Sequence, residues 1–372
     1  MGQIHVVVGG QFGSEAKGHV TGWLAREMED VAAVVRVAGP NAGHTAYDDQ
    51  GRPFALRQIP VAAVTNRTVD LLIGAGSEID PAVLADEIER LETAGIPVVD
   101  RLYVDEQATV ITEAHKLQET GVRLGSGDST LVQRIGSTGK GVGAARSARI
   151  MRHAMTWGTY VEEGETAGTA LADVQTTDPI GTIADRIHHE LQRGHRIIIE
   201  GTQGFGLGLH AGFYPYCTSS DCRAIDFLSM AGVTPHNGEL VVWPVFRTFP
   251  IRVAGNSGPL YGETTWENLA EQTDGYIKPE RTTVTNKIRR VGQWDYGLAQ
   301  AAIEANGGEQ ICRPVLTFLD YWRPEVAGVK STDGLDEQAW NDIQGVEDGL
   351  GCKLWAVGTG PDSIVQLADK PL

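Results

Sequence analysis

The stretch that most constrains this chain lies at its start. Residues 4–9 form a β-branched run that reads as a buried strand. It empties into Gly9, Gly10, Gln11, Phe12, Gly13, Ser14, Glu15, Ala16, Lys17 and Gly18, and residues 19–27 then carry helical spacing. A strand, a glycine-rich turn with one lysine and a helix together suit a polyphosphate. The glycines let backbone N–H groups approach the oxygens, the helix start adds partial positive charge, and the lysine adds a full one. The loop departs from GxxxxGK[ST], since Gly18 follows Lys17, and a plain tight turn between strand and helix is the competing reading.

The rest of the chain favours the first reading. Apolar, β-rich runs recur at residues 33–38, 70–75, 97–104, 196–200, 240–246 and 314–320, with amphipathic helical patterns between several of them, for instance Pro81–Thr93 and Ile183–Gln192. This alternation predicts an α/β fold, a mostly parallel central sheet covered by helices. With 372 residues and 41% hydrophobic content, one elaborated unit spanning residues 1–372 is expected. Three long glycine- or threonine-rich stretches, 135–143, 201–220 and 255–285, read as inserted binding or lid loops.

A net charge of −17 argues against a nucleic-acid backbone or an anionic membrane as partner, while a nucleotide needs only a locally basic pocket. No run of eighteen apolar residues and no secretory leader is evident, so a cytoplasmic protein is expected. Cys217, Cys222, Cys312 and Cys352 lack CxxC spacing, and neither zinc nor a disulfide framework is expected.

Four further constellations carry chemistry. Gly39, Pro40, Asn41, Ala42, Gly43, His44 and Thr45 follow a strand end, where open α/β sheets bind ligands, and should face the first loop. There His44 can donate to a developing oxyanion and Gly43 can offer a carbonyl to a metal. Ile135, Gly136, Ser137, Thr138, Gly139, Lys140 and Gly141, followed by Arg146, Arg149 and Arg152, suit a phosphate or are a polar turn before a basic helix face. Glu200, Gly201, Thr202, Gln203 and Gly204, with Tyr214, Pro215, Tyr216, Cys217, Thr218, Ser219 and Ser220, offer an amide for a base edge and hydroxyls for a phosphate. Last, Thr282, Thr283, Val284, Thr285, Asn286, Lys287, Ile288, Arg289 and Arg290 run hydroxyls into three cations, a combination that suits a small dicarboxylate.

Together these segments resemble the adenylosuccinate synthetases, which join L-aspartate to the 6-position of a purine nucleotide through a 6-phosphoryl intermediate. Order and spacing agree from the first loop to Gly358, Thr359, Gly360, Pro361 and Asp362. The resemblance implies a P-loop-like fold with inserted loops. Two departures stand out. Where the family carries an aspartate that serves as base and magnesium ligand, this chain has Ser14, and where it carries a lysine two residues before a guanine-reading aspartate, Phe318 precedes Leu319 and Asp320. Both look like the viral, bacteriophage branch, the 2-aminoadenylosuccinate synthetases, which act on dGMP on the route to 2-aminoadenine in DNA.

The resemblance implies a site residue by residue. The triphosphate, ATP or dATP given Phe318, falls to Gly13, Ser14, Glu15, Ala16, Lys17, Gly18, Gly43, His44, Thr45, Arg289, Asp320, Gly358 and Gly360. The monophosphate dGMP falls to Ser14, Asn41, Thr138, Arg152, Gln203, Thr218, Asp221 and Lys287, with Arg152 reaching across a homodimer and Asp221 a candidate acceptor for the 2-amino group. Aspartate falls to Thr283, Val284, Thr285 and Arg289, and Mg2+ to Ser14 and Gly43. Catalysis falls to Ser14, His44 and Lys17. Alternatives are an ordinary IMP-using synthetase, a nucleotide-binding regulator, and a decayed member that has lost its base.

Overall fold

The computed structural model describes residues 2–121, 130–177, 181–282 and 287–367. Its centre is β1 (Gln3–Gly9), whose alternation sends Ile4, Val6 and Val8 to one face of a sheet and Val7 to the other. In chain order β2 (Val31–Arg36), β3 (Asp70–Ile73), β4 (Leu102–Val104), β5 (Gln175–Thr176), β6 (Arg196–Glu200), β7 (Glu239–Arg247), β8 (Val315–Thr317), β9 (Ala356–Gly360) and β10 (Ser363–Gln366) complete it. Across the sheet the order is β10-β9-β8-β7-β1-β6-β2-β3-β4-β5. Every neighbouring pair is parallel except the β9–β10 edge, as the apolar runs and intervening helices predict.

Helices cover both faces. On one, α1 (Lys17–Glu27) and α2 (Pro81–Thr93) bury Val20, Leu24, Leu84, Ile88 and Leu91 beside Val7. On the other, α3 (Ile183–Gln192), α4 (Ala224–Ala231), α5 (Tyr296–Ala305) and α6 (Glu337–Leu350) bury Ile187, Phe227, Leu298 and Ile343 beside Ile4, Val6 and Val8. Among the described residues no helix is long and apolar enough to cross a membrane, and the four cysteines are free.

Parallel strands line up their carboxyl ends, so Gly9, Arg36, Glu200, Arg247 and Thr317 end at one edge. The expected strand at 97–104 is shorter than its apolar run. Val99–Arg101 form a 3-10 turn because the Arg101 guanidinium folds back onto the carbonyls of Ala63, Asn66 and Val69. Residues 314–320 likewise divide into β8 and a short helix, Leu319–Trp322.

Candidate active site

The first loop is built to be rigid. Gln11 pins it to β7 by exchanging hydrogen bonds with the backbone of Arg247, at 3.1 and 3.0 Å. Glu15, expected at the triphosphate, instead turns inward. Its buried carboxylate accepts the Gly13 N–H at 2.6 Å and pairs with Lys17 Nζ at 2.8 Å, so it braces the loop and does not line the cleft. Lys17 Nζ also donates to the Gly13 carbonyl at 3.1 Å. Gly13 sits at φ +93°, where an L side chain is strained.

Above the loop opens a cleft of about 690 Å³. It brings together Gly13, Ser14, Ala16, Lys17, Gly18, Asn41, Gly43, His44, Thr45, Thr138, Gln203, Lys287, Arg289, Asp320, Gly358 and Gly360 from all the constellations read in the sequence. A cavity of about 320 Å³ adjoins it through Asn41, Thr138 and Gln203, and Thr218 lines this side chamber. Thr283, Val284 and Thr285 lie outside the described residues.

Two expected residues stand elsewhere. Asp221 lines neither cavity: its carboxylate accepts the N–H groups of His210 and Ala211 at 3.1 and 3.0 Å and His210 Nδ1 at 2.5 Å, holding the turn after residue 208. Asp221, expected as acceptor for a 2-amino group, thus braces this turn and lies outside both cavities. Arg152 is exposed outside both cavities of its own chain. Of its neighbours, Arg146 pairs with Glu78 at 2.6 Å and Arg149 donates to Gln107 at 3.4 Å, so neither reaches the 135–141 turn.

His44 lies on the short hairpin His44–Tyr47/Pro53–Leu56, with its Nδ1 2.6 Å from Glu200 Oε1 and 2.7 Å from Arg36 Nη1. Arg36 and Glu200 form an ion pair with no exposed surface. Arg36 also holds the Ala42 and Arg57 carbonyls, and Glu200 accepts the Val61 N–H at 2.9 Å. Burial, with the Arg36 and Lys17 cations, lowers the His44 pKa to about 4, against the pull of Glu200, so the ring is neutral at pH 7. Nδ1 donates to Glu200 in one tautomer and accepts from Arg36 in the other. Among the described residues Nε2 has no partner, and it is the nitrogen left for a ligand.

Ser14 is held differently from a base. Arg289 Nη1 donates to Ser14 Oγ at 2.7 Å, leaving the hydroxyl proton to be given to an acceptor. A guanidinium beside that oxygen weakens it as a cation ligand. Gly43 lines the cleft, and Mg2+ bound to phosphate oxygens needs few protein donors, so the residues present fit a metal that arrives with a triphosphate. Among the described residues no three His, Cys, Asp or Glu side chains form a metal-binding group.

Sequence reasoning did not single out Arg36, Arg247, Tyr276 or Glu280. Arg247 is buried, donates to the Ser14 carbonyl at 3.0 Å and pairs with Glu280 at 2.5 Å. The available signal was positional: Arg36, Glu200 and Arg247 each close an apolar strand with a charge.

A glycine-rich loop, a buried cation, a poised imidazole and two joined cavities at the carboxyl edge of a parallel sheet define a nucleotide-binding α/β enzyme of the phosphoryl-transfer kind. The adenylosuccinate synthetase family model matches residues 6–180 and 161–320. The chain is 34% identical to the adenylosuccinate synthetase of Methanocaldococcus jannaschii over 96% of its length and 94% of the relative's. It is 33% identical to that of Pyrococcus horikoshii over 96% of both. The chain belongs to the adenylosuccinate synthetase family and is a C–N bond-forming ligase. Among solved structures it is similar to the succinoaminodeoxyadenylate synthetase of cyanophage S-2L, bound to dGMP and dATP as an energy donor, with TM-score 0.77, 26% identity and coverage of 98% and 95% of the two chains. The fully ligated adenylosuccinate synthetase of Plasmodium falciparum shares the fold, with TM-score 0.77 at 20% identity over 99% and 100%.

Proposed function

We propose that this ligase joins L-aspartate to C6 of dGMP at the expense of ATP or dATP, giving N6-succino-2-amino-2'-deoxyadenylate. The observation that carries the reading is position 14. Where the family carries an aspartate this chain has Ser14, a shorter and uncharged side chain whose hydroxyl is set to donate. The phage enzyme's two ligands accord with it. The reading also takes the protein as a bacteriophage one acting in the host cytoplasm.

O6 of the purine takes the γ-phosphoryl group as the nucleoside diphosphate leaves and the N1 proton is lost to solvent; the aspartate amine then attacks C6, phosphate departs, and the amine gives up a proton. Esterifying O6 turns a poor leaving group into a good one, which is why a triphosphate is consumed. Lys17 and the loop amides stabilise charge on the transferring group. His44 Nε2 contacts O6 or the departing phosphate, kept in register by Arg36 and Glu200. Were magnesium bound, the Gly43 carbonyl and phosphate oxygens would hold it, and it would supply positive charge against the triphosphate. Asn41, Thr138, Gln203, Thr218 and Lys287 hold the monophosphate, Arg152 reaches its phosphate from a second copy in a homodimer, and the 283–285 segment with Arg289 binds aspartate.

The test supplies dGMP or IMP in parallel with Mg2+, L-aspartate and ATP, and reads the succinylated nucleotide by mass spectrometry. Product from dGMP with little from IMP is expected. Product from IMP alone returns the chain to ordinary adenine nucleotide synthesis, and none from either overturns the proposed ATP-driven reaction.

A further inference from the structure

One wall of the cleft ends in a carboxylate with unequal oxygens. Asp320 begins the short helix Leu319–Trp322 and is 4% exposed. Phe318, just before it, takes φ +60° and packs its ring 5.0 Å from Tyr321 and beneath the Arg247 guanidinium at 4.0 Å, so this end of the cleft is walled by flat groups. Asp320 Oδ2 accepts the Tyr276 hydroxyl at 2.8 Å. Oδ1 is buried and has no hydrogen-bond partner among the described residues. Tyr276 comes from the inserted 255–282 segment, with its ring centroid 6.4 Å from that of Tyr321 in an edge-on contact.

A carboxylate only accepts hydrogen bonds, and with both oxygens free it matches two donors side by side. Guanine presents such a pair, its N1–H and 2-amino group. Adenine presents one donor, the 6-amino group, next to the N1 lone pair, which a second free carboxylate oxygen would repel. We propose that Tyr276 sets the choice of phosphoryl donor: by donating to Oδ2 it leaves Oδ1 as the one unpartnered oxygen, so that Asp320 matches the single donor of adenine triphosphates better than the paired donors of guanine ones. The hydroxyl remains a donor at working pH, because burial and Asp320 push its pKa up to about 12. A buried polar group left without its partner is what makes such a site discriminate.

The inference rests on the cleft being the triphosphate site, and the experiment separates the two. Calorimetric titrations of wild type and Tyr276→Phe with the β,γ-imido analogues of ATP and GTP read the site without turnover. Steady-state rates with ATP, dATP and GTP then read it in the reaction. Wild type should favour adenine, and Tyr276→Phe, which keeps the ring, should shift the ATP-to-GTP ratio of kcat/KM toward GTP by at least tenfold, carried by KM with kcat little changed. An unchanged ratio with both analogues still binding overturns the role of Tyr276 alone, as does a wild type that favours GTP. Failure of either protein to bind any analogue overturns the triphosphate reading and this inference with it.

Discussion

At position 14 a hydroxyl replaces a charge, and Arg289 decides what that hydroxyl can do. With its oxygen accepting from a guanidinium at 2.7 Å, Ser14 is a hydrogen-bond donor to whatever enters the cleft. Its neighbour raises the cost of binding another proton, so it is a poor base. Ser14→Asp would put a carboxylate against Arg289 and narrow the space beside the purine. The expected outcome is a fall of tenfold or more in the preference for dGMP over IMP, read by competition between the two in one tube. An unchanged preference would remove position 14 from substrate choice. At this scale the sequence revealed His44, because a histidine between small residues at a strand end has few structural reasons to be there. It did not reveal what holds that histidine. Arg36 and Glu200 are 164 residues apart, and only the pairing of β2 with β6 puts one beside the other.

Elements were legible where their ends carry chemistry. Pro81 at the start of α2 and Thr182 before α3 mark helix beginnings, and both helices span the predicted residues. The β9–β10 hairpin was not read as strands, only Gly358 and Gly360 as triphosphate contacts: its strands are short, and these glycines are poor strand formers whose extended conformation comes from pairing with Ile364 and Ser363. Contacts between elements explain a glycine that the loop pattern alone does not. In the first turn of α1, a Cβ on Gly18 would lie 2.5 Å from the His44 Cβ, so helix and hairpin meet there without clearance. Gly18→Ala should push His44 off its Glu200 contact and lower kcat tenfold or more. The overpacking should cost about 1–3 kcal/mol of stability. Phosphate release and denaturant unfolding measure the two, and a variant with unaltered kcat would show that the imidazole does not depend on this packing.

Over the whole molecule, burial of neutral histidines makes the fold sensitive to acid. Burial lowers His5 to about 3 and both His19 and His44 to about 4, from an ordinary 6.5. Below pH 6.5 the unfolded chain takes up these protons and the folded one does not, so each group removes stability as pH falls toward its folded value. His5 accepts from Trp243 Nε1 at 3.1 Å inside the sheet, a role that glutamine can fill without titrating. His5→Gln should therefore be spared about 2 kcal/mol of the stability that wild type loses between pH 7.5 and 5. Urea unfolding at the two pH values measures it, and equal losses in both proteins would mean that His5 does not titrate as its burial requires.

The cleft is also where the far ends of the chain meet, with Ser14 and Lys17 on one wall and Gly358 and Gly360 on another. β1 gains both of its neighbours only when residues 196–200 and 239–247 exist. The first loop therefore gains its bracing strands only once those later segments pair with β1. A chain ending at residue 350 would lack the wall that Gly358 and Gly360 give the cleft, so truncation there should weaken whatever the cleft holds.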